Sequence, residues 1–253
     1  MNIEKITAIV KETDKIFFDS GLKNDVRKKG EADFVTKADI AISEYLHKRL
    51  TEEFPDVGFL SEEEEPLSSD REKYWILDPI DGTTNFMYGI GLCGVSLGYC
   101  ENSEITAGVI YIPQSGEMFW AIKGNGAYLN GERIKCGTAQ KLSDCLALYE
   151  FNAYFKEEHE QAAGCAEKIY TSCRDIRTLG SAAVEMAYIA CGRADAFFGR
   201  YLKPWDYAAG TIIVREAGGV VSYPEGEITY PETNRHIIAT NSEMHRDFKK
   251  RIL

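Results

Sequence analysis

Trp75-Ile76-Leu77-Asp78-Pro79-Ile80-Asp81-Gly82-Thr83-Thr84-Asn85-Phe86 is the stretch on which the reading of this chain turns. Tyr74 to Leu77 reads as a buried strand that delivers Asp78 at its end. Pro79 has no amide hydrogen to give and is expected to stop ladder pairing there. Asp81 follows, and Gly82-Thr83-Thr84 then offers N–H groups and hydroxyls where a helix is expected to begin. Two carboxylates just upstream of a helix N-terminus can hold hard cations while the amides face an anion. That combination suits a phosphate ester bridged by magnesium. Asp-Pro and Asp-Gly are ordinary turn formers, and a lone Asp-Gly-Thr is most often a cap. Here the whole string is specified and a hydrophobic strand leads into it.

Acids on either side extend the pattern. Glu62-Glu63-Glu64-Glu65 is a run of the kind that usually forms a solvated loop. Phe59-Leu60 before it and the Tyr74–Asp78 strand after it let Glu62 and Glu63 turn inward while Glu64 and Glu65 stay wet. Lys203-Pro204-Trp205-Asp206-Tyr207-Ala208-Ala209-Gly210 opens another helix, with Asp206 as a cap or a ligand. The rigid Pro204-Trp205 approach and the small Ala208-Ala209-Gly210 run, which lets that helix sit close to something else, favour a ligand. Asp39 has two readings of equal weight: it closes a capping box with Thr36, or it accepts a proton from Thr83.

Along the chain, Ile3, Ile6, Val10 and Phe17 fall near helical spacing, with Gly21 as a stop. A second helix is expected after Thr36, its apolar face made of Ala38, Ile42, Tyr45, Leu46 and Leu50. Tyr74 to Leu77, Cys93 to Tyr99, Thr106 to Ile112 and Met118 to Ile122 read as short strands, and Asn130-Gly131 as a type I′ hairpin turn. Helical pattern returns at Glu157. Ser181 to Cys191, Asp206 to Ala217 and a last segment capped by Ser242 or Asn241 read as helices, between strands at 194–198, 220–223 and 236–239. An antiparallel-rich half, 1–145, carries the acidic motifs, and a mixed half, 146–253, supplies Asp206; together they are expected to form one unit with a layered α+β architecture.

Composition bounds the function. The 253 residues are 44% hydrophobic and 27% charged, which is ordinary for a globular chain. A net charge of −11 disfavours direct nucleic-acid binding. It also makes an odd host for an anionic substrate unless bound cations invert the local sign. Seven scattered cysteines with no Cys-x-x-Cys pair fit neither a disulfide framework nor a zinc ribbon, and suit a reducing cytoplasm. Met1 to Lys15 does not read as a signal peptide, and no apolar run reaches the length of about 18 residues that a membrane span needs.

Together these segments resemble the inositol monophosphatase family of magnesium-dependent phosphatases. The matching pieces are Phe59-Leu60-Ser61-Glu62-Glu63, Trp75 through Phe86 and Trp205 through Gly210, with Val35-Thr36-Lys37-Ala38-Asp39 and Glu216-Ala217-Gly218-Gly219. They come in the family's order, and the similarity runs from about Ile3 to the C-terminus. The resemblance implies a layered α-β-α-β-α sandwich of the inositol monophosphatase and fructose-1,6-bisphosphatase type, and a homodimer. It implies lithium-sensitive hydrolysis of inositol monophosphate or a related sugar phosphate by metal-activated water attack. Two or three Mg²⁺ would serve each site, with Mn²⁺ as a substitute and Li⁺ as an inhibitor.

By position, the resemblance gives Glu62, Asp78 and the carbonyl of Ile80 to one magnesium. It gives Asp78, Asp81 and Asp206 to a second, and a third, weaker ion to Glu62 through water. Thr83 with Asp39 would orient and deprotonate the attacking water, with Glu63 close behind. Gly82 and Thr83 would cradle the phosphate, with Thr84 beside them, and Gly180-Ser181-Ala182 would line the alcohol part of the substrate. Two Mg²⁺ against the four ionised carboxylates leave the site nearly neutral, which admits a phosphate.

Four features bear on substrate. Ser61 stands where many members have Gly. Gly199 stands seven residues before Asp206, where inositol-preferring members carry a Glu for a ring hydroxyl. Arg200 and Lys203 would serve a second phosphate, as in relatives acting on fructose 1,6-bisphosphate or NADP, or else lie at the surface or a dimer interface. Thr83-Thr84-Asn85-Phe86 differs from the Lys-Glu-Phe ending of the nucleotide-bisphosphatase branch. Fructose-1,6-bisphosphatase or NADP phosphatase activity is therefore an alternative. A protein-binding regulator of transcription or RNA processing is an alternative of another class.

Overall fold

The computed structural model describes residues 1–23, 26–28, 34–63, 72–151, 155–228, 232 and 234–253. Three short helices, α1 (Ile3–Lys11), α2 (Asp14–Phe17) and α3 (Ser20–Lys23), lead to an antiparallel pair, β1 (Val26–Lys28) and β2 (Phe34–Thr36), and to the long α4 (Lys37–Glu53). Then come β3 (Gly58–Ser61), β4 (Lys73–Asp81), α5 (Thr83–Tyr88), β5 (Gly94–Glu101), β6 (Glu104–Ile112), β7 (Glu117–Ile122), β8 (Ala127–Leu129) and β9 (Glu132–Ile134). The later half runs β10 (Leu146–Glu150), α6 (His159–Ser172), β11 (Asp175–Arg177), α7 (Ala182–Ala190), β12 (Ala196–Leu202), α8 (Pro204–Glu216), β13 (Gly219–Ser222), β14 (Arg235–Asn241) and α9 (His245–Ile252).

Strands β3 to β9 lie in chain order in one seven-stranded sheet, and β11-β10-β12-β14-β13 form a second sheet of five. Period-2 alternation assigns their residues to layers. Trp75 and Leu77 of β4, with Val95, Leu97, Val109 and Tyr111, pack against Ile6, Val10, Ile42 and Leu46 of α1 and α4. Tyr74 and Ile76, with Ile110 and Phe119, face the opposite way, onto α7 and α8 and the inner face of the second sheet at Leu148, Phe197 and Ala239. On that sheet's outer face, Tyr149, Ala196 and Ile238 pack with Ile169 of α6 and Phe248 of α9. The order is thus α-β-α-β-α, the layered sandwich expected from the sequence.

The middle layer sets the site. Ala208 and Ala209 bring α8 so close to the sheet that a Cβ on Gly98 would lie 2.9 Å from Ala208 Cβ, and one on Gly108 2.7 Å from Ala209 O. The small-residue run therefore does what its composition implied. The type I′ turn also forms, with Asn130 at φ 50° and Gly131 at φ 87° between β8 and β9.

Local expectations fail where side chains compete for the backbone. The first helix is broken after Lys11, and buried Thr13 donates its hydroxyl to Val10 O at 2.6 Å. Gly21 lies inside α3 instead of ending a helix. Pro79 does not end β4: pairing with β5 resumes at Asp81↔Gly94 after Asp78↔Ser96, so the proline sits in a bulge. The last helix starts at His245 with Met244 as its cap residue, and Asn241 instead accepts the Met244 N–H at 3.0 Å.

Candidate active site

The bulge in β4 is the root of the site. Asp78 bends back to accept the Ile80 N–H at 3.0 Å, and the extra residue turns Asp78 and Asp81 toward the same place. Gly82 then takes φ 88°, a left-handed conformation that favours glycine, and hands the chain into α5. A Cβ there would lie 3.0 Å from both Gly180 O and Ser181 Cβ, so the two halves of the chain touch at this point. From the second half, α8 brings Asp206, whose carboxylate accepts the Lys203 N–H at 2.7 Å. Ser96, paired with Asp78 on β5, donates to Trp205 O at 2.9 Å and ties this helix start to the sheet.

Asp78, Asp81 and Asp206 consequently offer oxygens that all lie within 4.8 Å of one another. Asp78 and Asp81 are buried and Asp206 is half-buried. Burial, then the negative charges of Glu62, Asp81 and Asp206, hold the Asp78 carboxyl well above the usual carboxylate range. Asp206 is raised for the same reasons, burial first and then Asp81, against the pull of its bond from Lys203. Burial lifts Asp81 to about 6, although Ser181 Oγ and Ala183 N both donate to its Oδ2 at 2.6 Å. Like charges held this close in a dry site ask for cations. An all-oxygen donor set fits magnesium or manganese.

Glu62 and Glu63 are both half-buried, Glu62 acting on the cluster and Glu63 on Asp39. Glu62 donates its N–H to Leu77 O at 3.2 Å, and its charge presses on Asp78 and Asp206. Glu63 raises Asp39, and its N–H reaches Ser61 Oγ at 3.4 Å. Ser61 is buried and hydrogen-bonded to Ser43 at 2.9 Å, a use that the departure from Gly did not announce. Glu64 and Glu65 lie outside the described residues.

Asp39 closes the capping box and also lies within reach of Thr83. Its Oδ2 closes the capping box with the N–H and hydroxyl of Thr36, and its Oδ1 faces the Thr83 hydroxyl at 3.4 Å. Thr83 Oγ1 also reaches Ile80 O at 3.1 Å. Asp39 is 1% exposed, and burial raises it to about 6.

The substrate-side residues divide. Gly82 and Thr83 stand at the start of α5, Thr84 is exposed on its first turn, and Gly180-Ser181-Ala182 abuts Asp81 and Gly82. Lys203 is half-buried, and its positive charge acts on Asp206. Arg200 is not brought to the cluster. Its guanidinium is 1% exposed, bonded through Nη2 to Glu158 and Gln161 at 2.8 Å each and set over the Tyr201 ring. Gly199 has no space for a longer side chain, since a Cβ would meet Phe197 and Leu202 at 2.6 Å. Two residues of the site went unread in the sequence. Asn85 donates to Leu179 O at 2.6 Å and Leu92 O at 2.7 Å, and Glu185 is a fully buried acid on α7. A single acid in the otherwise apolar Ala182–Ala190 was the available signal.

The inositol monophosphatase family profile matches residues 2–252. The chain belongs to the inositol monophosphatase family. Among curated family relatives it is 37% identical to Nus factor SuhB of Escherichia coli (strain K12) over 215 residues, covering 85% of this chain and 80% of that one. It is 36% identical to the fructose-1,6-bisphosphatase/inositol-1-monophosphatase of Thermotoga maritima over 231 residues, 88% and 84% of the two chains. The crystal structure of extragenic suppressor protein suhB from Bartonella henselae superposes with a TM-score of 0.91 at 32% identity, covering 99% and 97%.

Proposed function

We propose that this family member is a magnesium-dependent phosphomonoesterase acting on inositol monophosphate or a related sugar phosphate. One observation carries the reading: three acids from both halves of the chain place their oxygens within 4.8 Å of one another. Asp78, Asp81 and Asp206, with Glu62 and the Ile80 carbonyl, would hold the ions. When bound, magnesium would supply charge neutralisation at the phosphate and make the attacking water easier to deprotonate. The remaining work falls to the chain. Thr83, whose hydroxyl faces Asp39 Oδ1, would orient the water and take its proton while passing its own to Asp39, and the nearby charge of Glu63 strengthens Asp39 as the final base. The amides of Gly82 and Thr83 face the phosphate oxygens and help fix its position, which is most of what phosphoryl transfer asks.

Arg200 is committed to Glu158 and Gln161, which leaves Lys203 as the nearer cation for a second phosphate and favours a monophosphate over a bisphosphate. Lithium inhibition, a homodimer and a cytoplasmic setting belong to the same proposal, resting on family membership and on seven free cysteines. Among the described residues, no helix is long and apolar enough to cross a membrane. The test is phosphate release from inositol 1-phosphate, fructose 1,6-bisphosphate and NADP with Mg²⁺, with Mg²⁺ plus Li⁺, and after chelation. Inositol 1-phosphate is expected to turn over fastest, with activity lost on chelation and at least about a hundredfold lower in Asp81→Asn, a change to a proposed ligand itself. Full activity after chelation, or in that variant, overturns the mechanism.

The 37% identity to a protein named Nus factor SuhB favours a second reading, a binding role in transcription. Affinity capture with the wild type and with Asp81→Asn separates the two. A partner held equally by both would show a role that needs no turnover, and the absence of any partner would count against it.

A further inference from the structure

We infer that Glu185 is a positioning residue for Asp81, acting through the turn that leads into α7. Asp81 is gripped at one oxygen: Oδ2 accepts from Ser181 Oγ and Ala183 N at 2.6 Å each. That grip depends on where the segment 179–181 sits, and the peptide of Leu179 is clamped at both ends. Asn85 Nδ2 donates to its carbonyl at 2.6 Å, and its own N–H donates to Glu185 Oε1 at 2.7 Å. Gly180 follows at φ 79°, and its backbone N–H eases the charge on the same carboxyl. Glu185 lies one turn into α7 and is fully buried, so this side chain reaches back past the Ser181 cap to hold the approach to its own helix.

An acid here is otherwise costly. The negative charges of Glu150 and Asp81 both press on it, and its second oxygen, Oε2, has no hydrogen-bond partner among the described residues. Ordinary packing of α7 against the sheets needs no carboxyl, since the residues around Glu185 are Ala182, Ala183, Val184, Met186 and Ala187, all buried. The clamp gives it a purpose: it sets the distance between the second half of the chain and a cation ligand of the first. The inference rests on the phosphatase reading only in taking Asp81 as a ligand.

The experiment measures Mn²⁺ binding by calorimetry without substrate, and the Mn²⁺ dependence of phosphate release, in wild type, Glu185→Ala, Glu185→Gln and Val184→Ala. Gln keeps an oxygen for the Leu179 N–H and removes the charge, whereas Ala removes both. Glu185→Ala is expected to weaken Mn²⁺ binding about tenfold or more, the cost of leaving the buried Leu179 N–H without its acceptor. Glu185→Gln is expected to stay within about threefold of wild type, and Val184→Ala, which loosens the same helix without touching the turn, to bind as wild type does. Three results would each overturn the inference: unchanged binding in Glu185→Ala, equal loss in Gln and Ala (an effect of charge alone), or equal loss in Val184→Ala. If wild type itself binds no Mn²⁺, the cation site fails and the phosphatase reading falls with it.

Discussion

Replacing Asp39 by Asn in the metal-free protein should make it gain stability relative to wild type as the pH rises. Asp39 is 1% exposed, and its carboxyl is raised from the usual 3.8 to about 6, chiefly by burial, with Glu63 adding to it and the bonds from Thr36 opposing. Folding therefore takes up a proton between about pH 4 and pH 6, so wild-type stability falls as the pH rises through that window. The difference between about 6 and 3.8 corresponds to about 3 kcal/mol, fully expressed above the folded value. The side-chain amide of the Asp39→Asn variant does not titrate. The gap between the two proteins should thus move by about 3 kcal/mol in the variant's favour between about pH 3 and pH 8. Any fixed cost of altering the capping box cancels in that comparison. Burial holds His236 and His245 below their usual range, which pushes stability the opposite way, but both proteins share them. Urea unfolding in chelator at a series of pH values measures the gap. A gap that stays level, or that moves toward the wild type with rising pH, would show that Asp39 is not buried as a strained acid, and its role as a proton acceptor would lose its basis.

Gly82→Ala should destabilise by about 1–2 kcal/mol through its left-handed backbone alone. It should lose more activity than stability, because the added carbon lies 3.0 Å from Gly180 O and Ser181 Cβ; urea midpoints and phosphate release on one preparation compare the two. Arg200→Ala should cost about 2 kcal/mol by stripping Glu158 and Gln161 of their buried donor, while the KM for fructose 1,6-bisphosphate stays put. A large rise in that KM would return Arg200 to the substrate. Ser181→Ala should raise the Mg²⁺ needed for half-maximal activity, by up to about tenfold, since it frees the gripped oxygen of Asp81.

Features closed by bonds between near neighbours were legible from the sequence. Thr36 and Asp39 form their box because the partners are three residues apart, and Asn130-Gly131 turns as its backbone preferences require. The motif acids were legible as chemistry. Their surroundings were not. Ser61 reads as a mild departure until Ser43, eighteen residues away, is seen to bond it. Arg200 reads as a substrate cation or a surface residue until Glu158 and Gln161 are seen to hold it, 1% exposed, in the interior.

The sequence by itself determined which residue types could hold a cation beside a phosphate, and where the Thr36 cap and the Asn130-Gly131 turn fall. Tertiary structure alone decided that Asp206 meets Asp78 and Asp81, that the bulge at Pro79 aims them together, and that Glu185 and Asn85 hold the turn against them. The reason is range. A cap or a tight turn is fixed by a few dihedrals within one peptide segment. The meeting of residues 81 and 206 depends on the seating of α8 against β5 and β6, which the burial of a whole layer of side chains sets.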